Sequence, residues 1–153
     1  MPEMIEAGHP NACNLCHLDE PIDWTLQALS EWYGSKFRES RIAQSYPDRT
    51  APTGQNWLTH AHEPVRLVAA DAAGRQNARW ALPQIIEQLD DPYLLNRQFA
   101  LMAVERMLDV HLSEFGYQFY MTQAERQQPL TTIRGRLLPA ANQPATESVS
   151  AGD

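Results

Sequence analysis

An apolar stripe in the middle of the chain constrains the fold more than any other feature. Leu82, Ile85, Ile86 and Leu89 follow the i, i+3, i+4, i+7 spacing that places four side chains on one face of an α-helix. Residues 90–92, Asp-Asp-Pro, then predict a tight turn that ends this helix and begins the next one. Since none of the patterned segments alternates with the period of a β-strand, the sequence predicts an all-α fold.

Four further segments carry helical signals of the same kind. Helices are expected over residues 21–33, 36–44, 64–74 and about 92–108. In three of them the spacing predicts which residues face the core. These are Ile22, Leu26, Leu29 and Tyr33 in the first helix, Val65, Val68, Ala69 and Ala72 in the third, and Leu95, Phe99, Ala103 and Met107 in the last.

The central helices resemble HEAT repeats. Residues 63–72, EPVRLVAADA, are similar to the second helix of one repeat, and residues 82–92, LPQIIEQLDDP, to the first helix and turn of the next. Arg97 and Ala100 fall where the following helix of such a repeat carries an Arg and a small residue. The resemblance implies a short helical repeat array, with one full repeat flanked by two partial ones.

By pattern and composition, the chain divides into four parts. Residues 1–34 hold both cysteines and the helix that follows them, with an irregular lead-in expected over residues 1–12. Residues 35–62 are predicted to be a loop with one short helix, and residues 63–128 carry the HEAT-like helices. Residues 129–153 lose the apolar pattern, so they are predicted to be a disordered tail.

Net charge, the length of apolar runs and the absence of catalytic motifs argue against several classes of function. The 153 residues carry a formal net charge of −7, whereas a nucleic-acid-binding protein needs clustered Lys and Arg to neutralise phosphates. No apolar run approaches the roughly 18 residues of a membrane span. The sequence has no Gly-rich phosphate loop and no H-E-x-x-H motif, and its paired carboxylates lie at predicted helix boundaries. No catalytic residue is therefore predicted.

The only two cysteines belong to one local motif. Cys13, Cys16 and His17 form the C-x-x-C-H pattern of covalent haem attachment. Two thiols at this spacing can each form a thioether with one vinyl group of the porphyrin. The next residue, His17, then supplies the proximal nitrogen ligand of the iron. The motif predicts one c-type haem per chain.

The sequence around this motif resembles large periplasmic multihaem cytochromes c that combine haem motifs with HEAT or TPR-like helices. In that family a CxxCH segment precedes a helix of the form Asp-x-x-x-x-Trp-x-x-x-x-Leu that ends in Trp-Tyr-Gly. Here these positions are Asp19, Trp24, Leu29 and residues 32–34. The chain has one CxxCH motif where the family has several, so we expect it to be part of a larger multihaem system.

The resemblance implies electron transfer in the periplasm or another extracytoplasmic compartment, with a redox protein or a neighbouring haem domain as partner. No feature of the sequence demands a catalytic haem, which favours an electron carrier over an enzyme. Residues 1–6 are acidic and lack the apolar region of a secretory signal peptide. A chain without haem is accordingly expected in the cytoplasm.

The second axial ligand of the iron is left open by the sequence. His9, His60 and His62 are candidates for that position or for the iron of a neighbouring haem, and Met102 is a further candidate. His60 and His62 are equally well interpreted as solvated residues of a turn. Trp24 and Trp32 are expected either to pack on the porphyrin edge or to belong to the protein core.

Two other interpretations compete with haem binding. In the first, Cys13 and Cys16 join His17 or His9 and one of His60 and His62 in a structural Cys2His2 zinc site. In the second, the cysteines are ordinary thiols and the chain is a metal-free HEAT-like module that binds other proteins on a concave surface.

Overall fold

The computed structural model describes residues 2–138, and this part of the chain is all-helical. Nine α-helices follow one another within these residues, with single 3₁₀ turns at Arg79–Ala81 and Leu112–Phe115. The helices are α1 (Pro2–Glu6), α2 (Ala12–Cys16), α3 (Ile22–Tyr33), α4 (Glu39–Ser45), α5 (Thr53–Leu58), α6 (Glu63–Gln76), α7 (Leu82–Gln88), α8 (Leu94–Leu108) and α9 (Gln123–Leu137).

Two apolar clusters hold these helices together. The main core is formed mostly by helices α5 to α9 and includes Trp57, Ile85, Val104 and Ile133. A smaller N-terminal core joins α1, α3 and α4. Its buried members are Ile5, Ile22, Leu26, Leu29, Ile42 and Tyr46. Leu18, which lies between α2 and α3, belongs to the main core, so the chain passes from one cluster to the other directly after the cysteine pair.

The central apolar stripe is confirmed. All four of its residues are buried, and α7, which carries the first three, packs against α8. Helix α6 also packs against α8, and Gly74 lies in this contact. A Cβ atom placed on Gly74 would lie 2.8 Å from the Cα atom of Ala103. The absence of a side chain at Gly74 therefore permits the close contact between these helices.

The predicted core face of α8 is wrong at two of its four positions. Leu95 is exposed and Phe99 is only half-buried, whereas Asn96 and Arg97 are buried in their place. Arg97 donates hydrogen bonds to the main-chain carbonyls of Asp91 (2.7 Å) and Phe119 (2.7 Å). These hydrogen bonds offset the cost of burying the guanidinium, which explains why Arg97 can lie on the buried face of the helix.

Two other core assignments need correction. Tyr33 is 75% exposed at the C-terminal end of α3, and Val68 is half-buried on α6. Tyr33 directly precedes Gly34, whose left-handed conformation (φ +63°) ends the helix. The ring therefore lies beyond the last turn that contacts the N-terminal core.

Three predicted irregular segments contain helices instead. The lead-in holds α1 and the start of α2, and the predicted loop before residue 62 holds α5. Helix α9 crosses the expected start of the tail and continues to Leu137, since Leu130 and Ile133 are buried in the main core. Residues 139–153, the rest of the predicted tail, lie outside the described residues. Within residues 2–138, no helix is long and apolar enough to cross a lipid bilayer.

Candidate haem-attachment site

The cysteine pair lies on α2, a single turn of helix. Asn11 caps its N-terminus, because its side-chain oxygen accepts a hydrogen bond from the main-chain N–H of Asn14 (3.0 Å). At the other end the main-chain N–H of His17 donates to the carbonyl of Cys13 (3.0 Å). The three residues of the motif therefore stand on one continuous, hydrogen-bonded turn.

Asn14, between the two cysteines, fixes this turn to α3. Its side chain is completely buried, and its oxygen accepts hydrogen bonds from the hydroxyl of Thr25 (2.6 Å) and the amide of Asn11 (3.0 Å). Its NH₂ group donates to the carbonyls of His17 (3.2 Å) and Glu20 (3.3 Å). A buried amide with all of these partners holds the backbone on both sides of it in place.

Leu15, the second residue between the cysteines, fixes the turn to the main core. Its partly buried side chain packs against that core, and its carbonyl accepts a hydrogen bond from the side-chain amide of Gln76 on α6 (2.6 Å). Gly54 of α5 donates its N–H to the carbonyl of Leu18 (2.9 Å). The segment is thereby bonded to α3, α5 and α6.

The chemically reactive groups of the motif point the other way. Cys13 is a half-buried free thiol, Cys16 is an exposed free thiol, and His17 is exposed. The imidazole of His17 lies beside the indole of Trp24, with 4.9 Å between the ring centroids and 48° between the ring planes. The segment thus buries Asn14 fully and Leu15 and Cys13 partly, and it leaves Cys16 and His17 exposed.

The three other candidate histidines lie together. The ring of His9 stacks on that of His62, with centroids 5.8 Å apart and an angle of 24° between the planes. The ring of His60 meets His9 edge-on at 6.2 Å. The structure therefore brings His9, which precedes α2, next to the turn between α5 and α6, while His17 contacts Trp24 instead.

The surroundings of His60 in this cluster favour its neutral form. Its Nδ1 atom accepts a hydrogen bond from the main-chain N–H of His62 (3.0 Å), so that nitrogen carries no proton. Burial, followed by the proximity of His9 and His62, lowers the pKa of His60 below its ordinary value. The absence of a side chain at Gly8 leaves room for the His60 ring, since a Cβ atom at this position would lie 3.1 Å from Nε2 of His60.

The donor chemistry of α2 fits a c-type haem. Attachment requires two free thiols separated by two residues and one imidazole directly after them, all from one local segment. Cys13, Cys16 and His17 meet this requirement and are the residues that would hold the group. A Cys2His2 zinc site would instead need four side chains to converge. Among residues 2–138, no group of three or more His, Cys, Asp or Glu side chains is placed to hold a metal ion.

Sequence reasoning identified the motif but missed Asn14 and Thr25, which position it. Neither residue type is unusual in a helical protein, and their contact joins positions on two different helices.

No family model, no curated protein and no solved structure matches the chain.

Proposed function

We propose that the chain is a c-type cytochrome domain that binds one covalent haem through Cys13, Cys16 and His17 and transfers electrons. The observation that carries the proposal is the orientation of the motif. Asn14 and Leu15 anchor the turn to the rest of the protein, whereas Cys16 and His17 remain exposed. Cysteines that served only to pack the core would both be buried, whereas Cys13 is half-buried and Cys16 is exposed.

The chain's own residues supply the covalent and the coordinating chemistry. The thiols of Cys13 and Cys16 would hold the haem by each adding to one of its vinyl groups, with an S–H bond and a C=C π bond replaced by a C–S and a C–H bond. His17 would contribute a lone pair of its imidazole to the iron. When bound, the haem supplies a one-electron redox couple. The hydrogen bond between Asn14 and Thr25 holds the turn against α3.

The exposure of the motif suits transfer between proteins. A group attached beside Cys16 and His17 would have an edge near the surface, where a redox protein or a neighbouring haem domain can approach it. We propose that the HEAT-like helix pairs of α6 to α8 form the framework on which this partner docks. The function belongs in an extracytoplasmic compartment, where covalent attachment of haem takes place.

The test is to export the chain together with the haem-attachment machinery. A pyridine haemochrome spectrum is then recorded after extraction with acid acetone. We expect about one haem per chain to stay with the protein. The variants Cys13→Ser and Cys16→Ser should each retain one thioether, which moves the haemochrome band to longer wavelength, and the double variant should lose the pigment. The variant His17→Ala removes the proposed nitrogen ligand of the iron. Its matched control is His111→Ala, at an exposed histidine outside the site.

Each alternative predicts a different result in the same experiment. A colourless protein that retains stoichiometric zinc would replace this proposal with the Cys2His2 site. A colourless protein without metal would leave a HEAT-like interaction module. Haem that is extracted by acid acetone would show that binding does not involve the thiols.

A further inference from the structure

Helix α3 carries an apolar strip outside either core. Trp24, Ala28 and Trp32 follow one another at intervals of four residues and so lie along one side of the helix. Trp24 is half-buried, and Trp32 is 65% exposed. Because burial of apolar surface is favourable, a strip of this kind gains stability when another apolar surface covers it.

This strip begins at the haem-attachment motif. The ring of Trp24 contacts the ring of His17, and the neighbouring Thr25 is hydrogen-bonded to Asn14 of α2. From Trp24 to Trp32 the helix rises by about 12 Å, a span comparable to the width of a porphyrin. Ala28, between them, has no side chain beyond Cβ. The two indoles and the alanine therefore form a continuous apolar strip that starts beside the proposed iron ligand.

Resting on the proposed function, we infer that this side of α3 is the surface against which the haem bound at Cys13 and Cys16 packs. The attachment points restrict the porphyrin to the neighbourhood of His17, and Trp24 is the ring in contact with that residue. The ring of Trp32 meets that of Tyr33 edge-on at 6.5 Å but stays 65% exposed, so packing of the porphyrin face against it would bury further apolar surface.

Hydroxyl-radical footprinting with mass spectrometry tests this assignment. The modification rate of each aromatic residue is compared between the haem-loaded protein and the folded Cys13→Ser/Cys16→Ser variant. Tyr120 is the internal control, because it is 65% exposed like Trp32 and lies outside the strip. We expect the rate at Trp32 to fall several-fold on haem loading while the rate at Tyr120 stays constant.

A second measurement changes the strip itself. Ala28→Arg places a long charged side chain between the two indoles, whereas Gln27→Arg places the same side chain on an exposed position next to it. We expect Ala28→Arg to keep its covalent haem but to lose much of the Soret circular dichroism that nearby indoles induce. The Gln27→Arg variant should retain the wild-type signal.

The outcomes separate this inference from the proposed function. A colourless protein overturns both. A red protein in which Trp32 stays as reactive as in the haem-free variant, or in which Ala28→Arg leaves the Soret signal unchanged, overturns the surface alone. Protection of Trp32 that rises with protein concentration and is independent of haem would assign the strip to a second protein molecule instead.

Discussion

The hydroxyl of Thr25 donates a 2.6 Å hydrogen bond to the side-chain oxygen of Asn14, and both residues are completely buried. This contact joins Asn14, one of the two residues between the cysteines, to the helix that follows them. It explains how a helix of five residues, too short to be stable alone, keeps a defined place on the protein surface.

Replacement of Thr25 by Val should lower the free energy of unfolding by about 1–2 kcal/mol, because the Asn14 oxygen loses one of its buried donors. Urea denaturation followed by far-UV circular dichroism measures the change. Thr131→Val is the control, since this exposed hydroxyl donates only to the carbonyl of Gln127 in its own helix. Equal losses in the two variants would mean that the buried contact has no special weight.

The contact between α6 and α8 should not tolerate a larger residue at Gly74. Gly74→Ala is expected to destabilise the protein by about 1–3 kcal/mol, because the new methyl group meets the backbone of Ala103. Gly135→Ala, in α9, meets nothing within 4 Å and should stabilise the protein by up to about 1 kcal/mol. Thermal unfolding of both variants is the measurement, and a stabilised Gly74→Ala variant would contradict the close packing.

Asp91 should make stability depend on pH in the acid range. Burial acts to raise the pKa of this carboxyl, but hydrogen bonds from Arg66, the N–H of Tyr93 and Asn96 outweigh it, so the pKa is lowered below 3.8. The folded state therefore favours the ionised carboxylate. Its stabilising effect is complete above pH 3.8 and is lost as the pH falls through the folded-state pKa.

Asp91→Asn should consequently lose about 2–3 kcal/mol at neutral pH and show a shallower decline of stability on acidification. Urea unfolding at a series of pH values measures both effects. Asp109→Asn serves as the control, because this exposed residue has a left-handed conformation (φ +53°) that Asn also adopts. The prediction fails if the two variants have the same acid profile.

Tyr117 should titrate far above exposed tyrosines. Burial raises its pKa to about 12, and its hydroxyl donates a 2.6 Å hydrogen bond to the carbonyl of Leu89. Since the folded state favours the neutral phenol, the associated stability is complete below pH 10.0 and is lost as the pH rises through about 12. Ultraviolet difference spectra recorded from about pH 9 to about pH 13 follow this titration, because the range begins just below the ordinary pKa of tyrosine, about 10, and extends above the raised pKa of Tyr117.

Tyr117→Phe should cost about 1–2 kcal/mol, because it leaves the carbonyl of Leu89 without its buried donor. Tyr120→Phe is the matched control, since its ring is 65% exposed. Burial also raises the pKa of Tyr46 to about 12, so both buried tyrosines contribute to the high-pH step. We expect the amplitude of that step to fall in the Tyr117 variant and to stay unchanged in the Tyr120 variant.

Predictions from the sequence succeeded where apolar spacing alone decides the structure. The stripe that ends at Leu89 is entirely buried, as its i, i+3, i+4, i+7 pattern predicted. The same reasoning failed on α8, because the burial of Arg97 depends on carbonyls that other segments bring to it. Periodicity also missed most of α9, where Pro129 and Gly135 are poor helix formers but tertiary packing of Leu130 maintains the helix.

The candidate site was predictable to the same limited extent. Its thiols and its imidazole were identified from the spacing of Cys13, Cys16 and His17, which is local in the chain. Their support was not, since the bond between Asn14 and Thr25 depends on how two helices cross. The meeting of His9 with His62 similarly arises from the return of a distant turn and has no signature in the sequence.

The position of the α2 segment between the two apolar clusters has a mechanical consequence. Asn14 is bonded to α3, which belongs to the N-terminal core, while Leu15 and Leu18 pack in the main core. Any rotation of one cluster relative to the other must therefore deform the turn that carries Cys13 and His17.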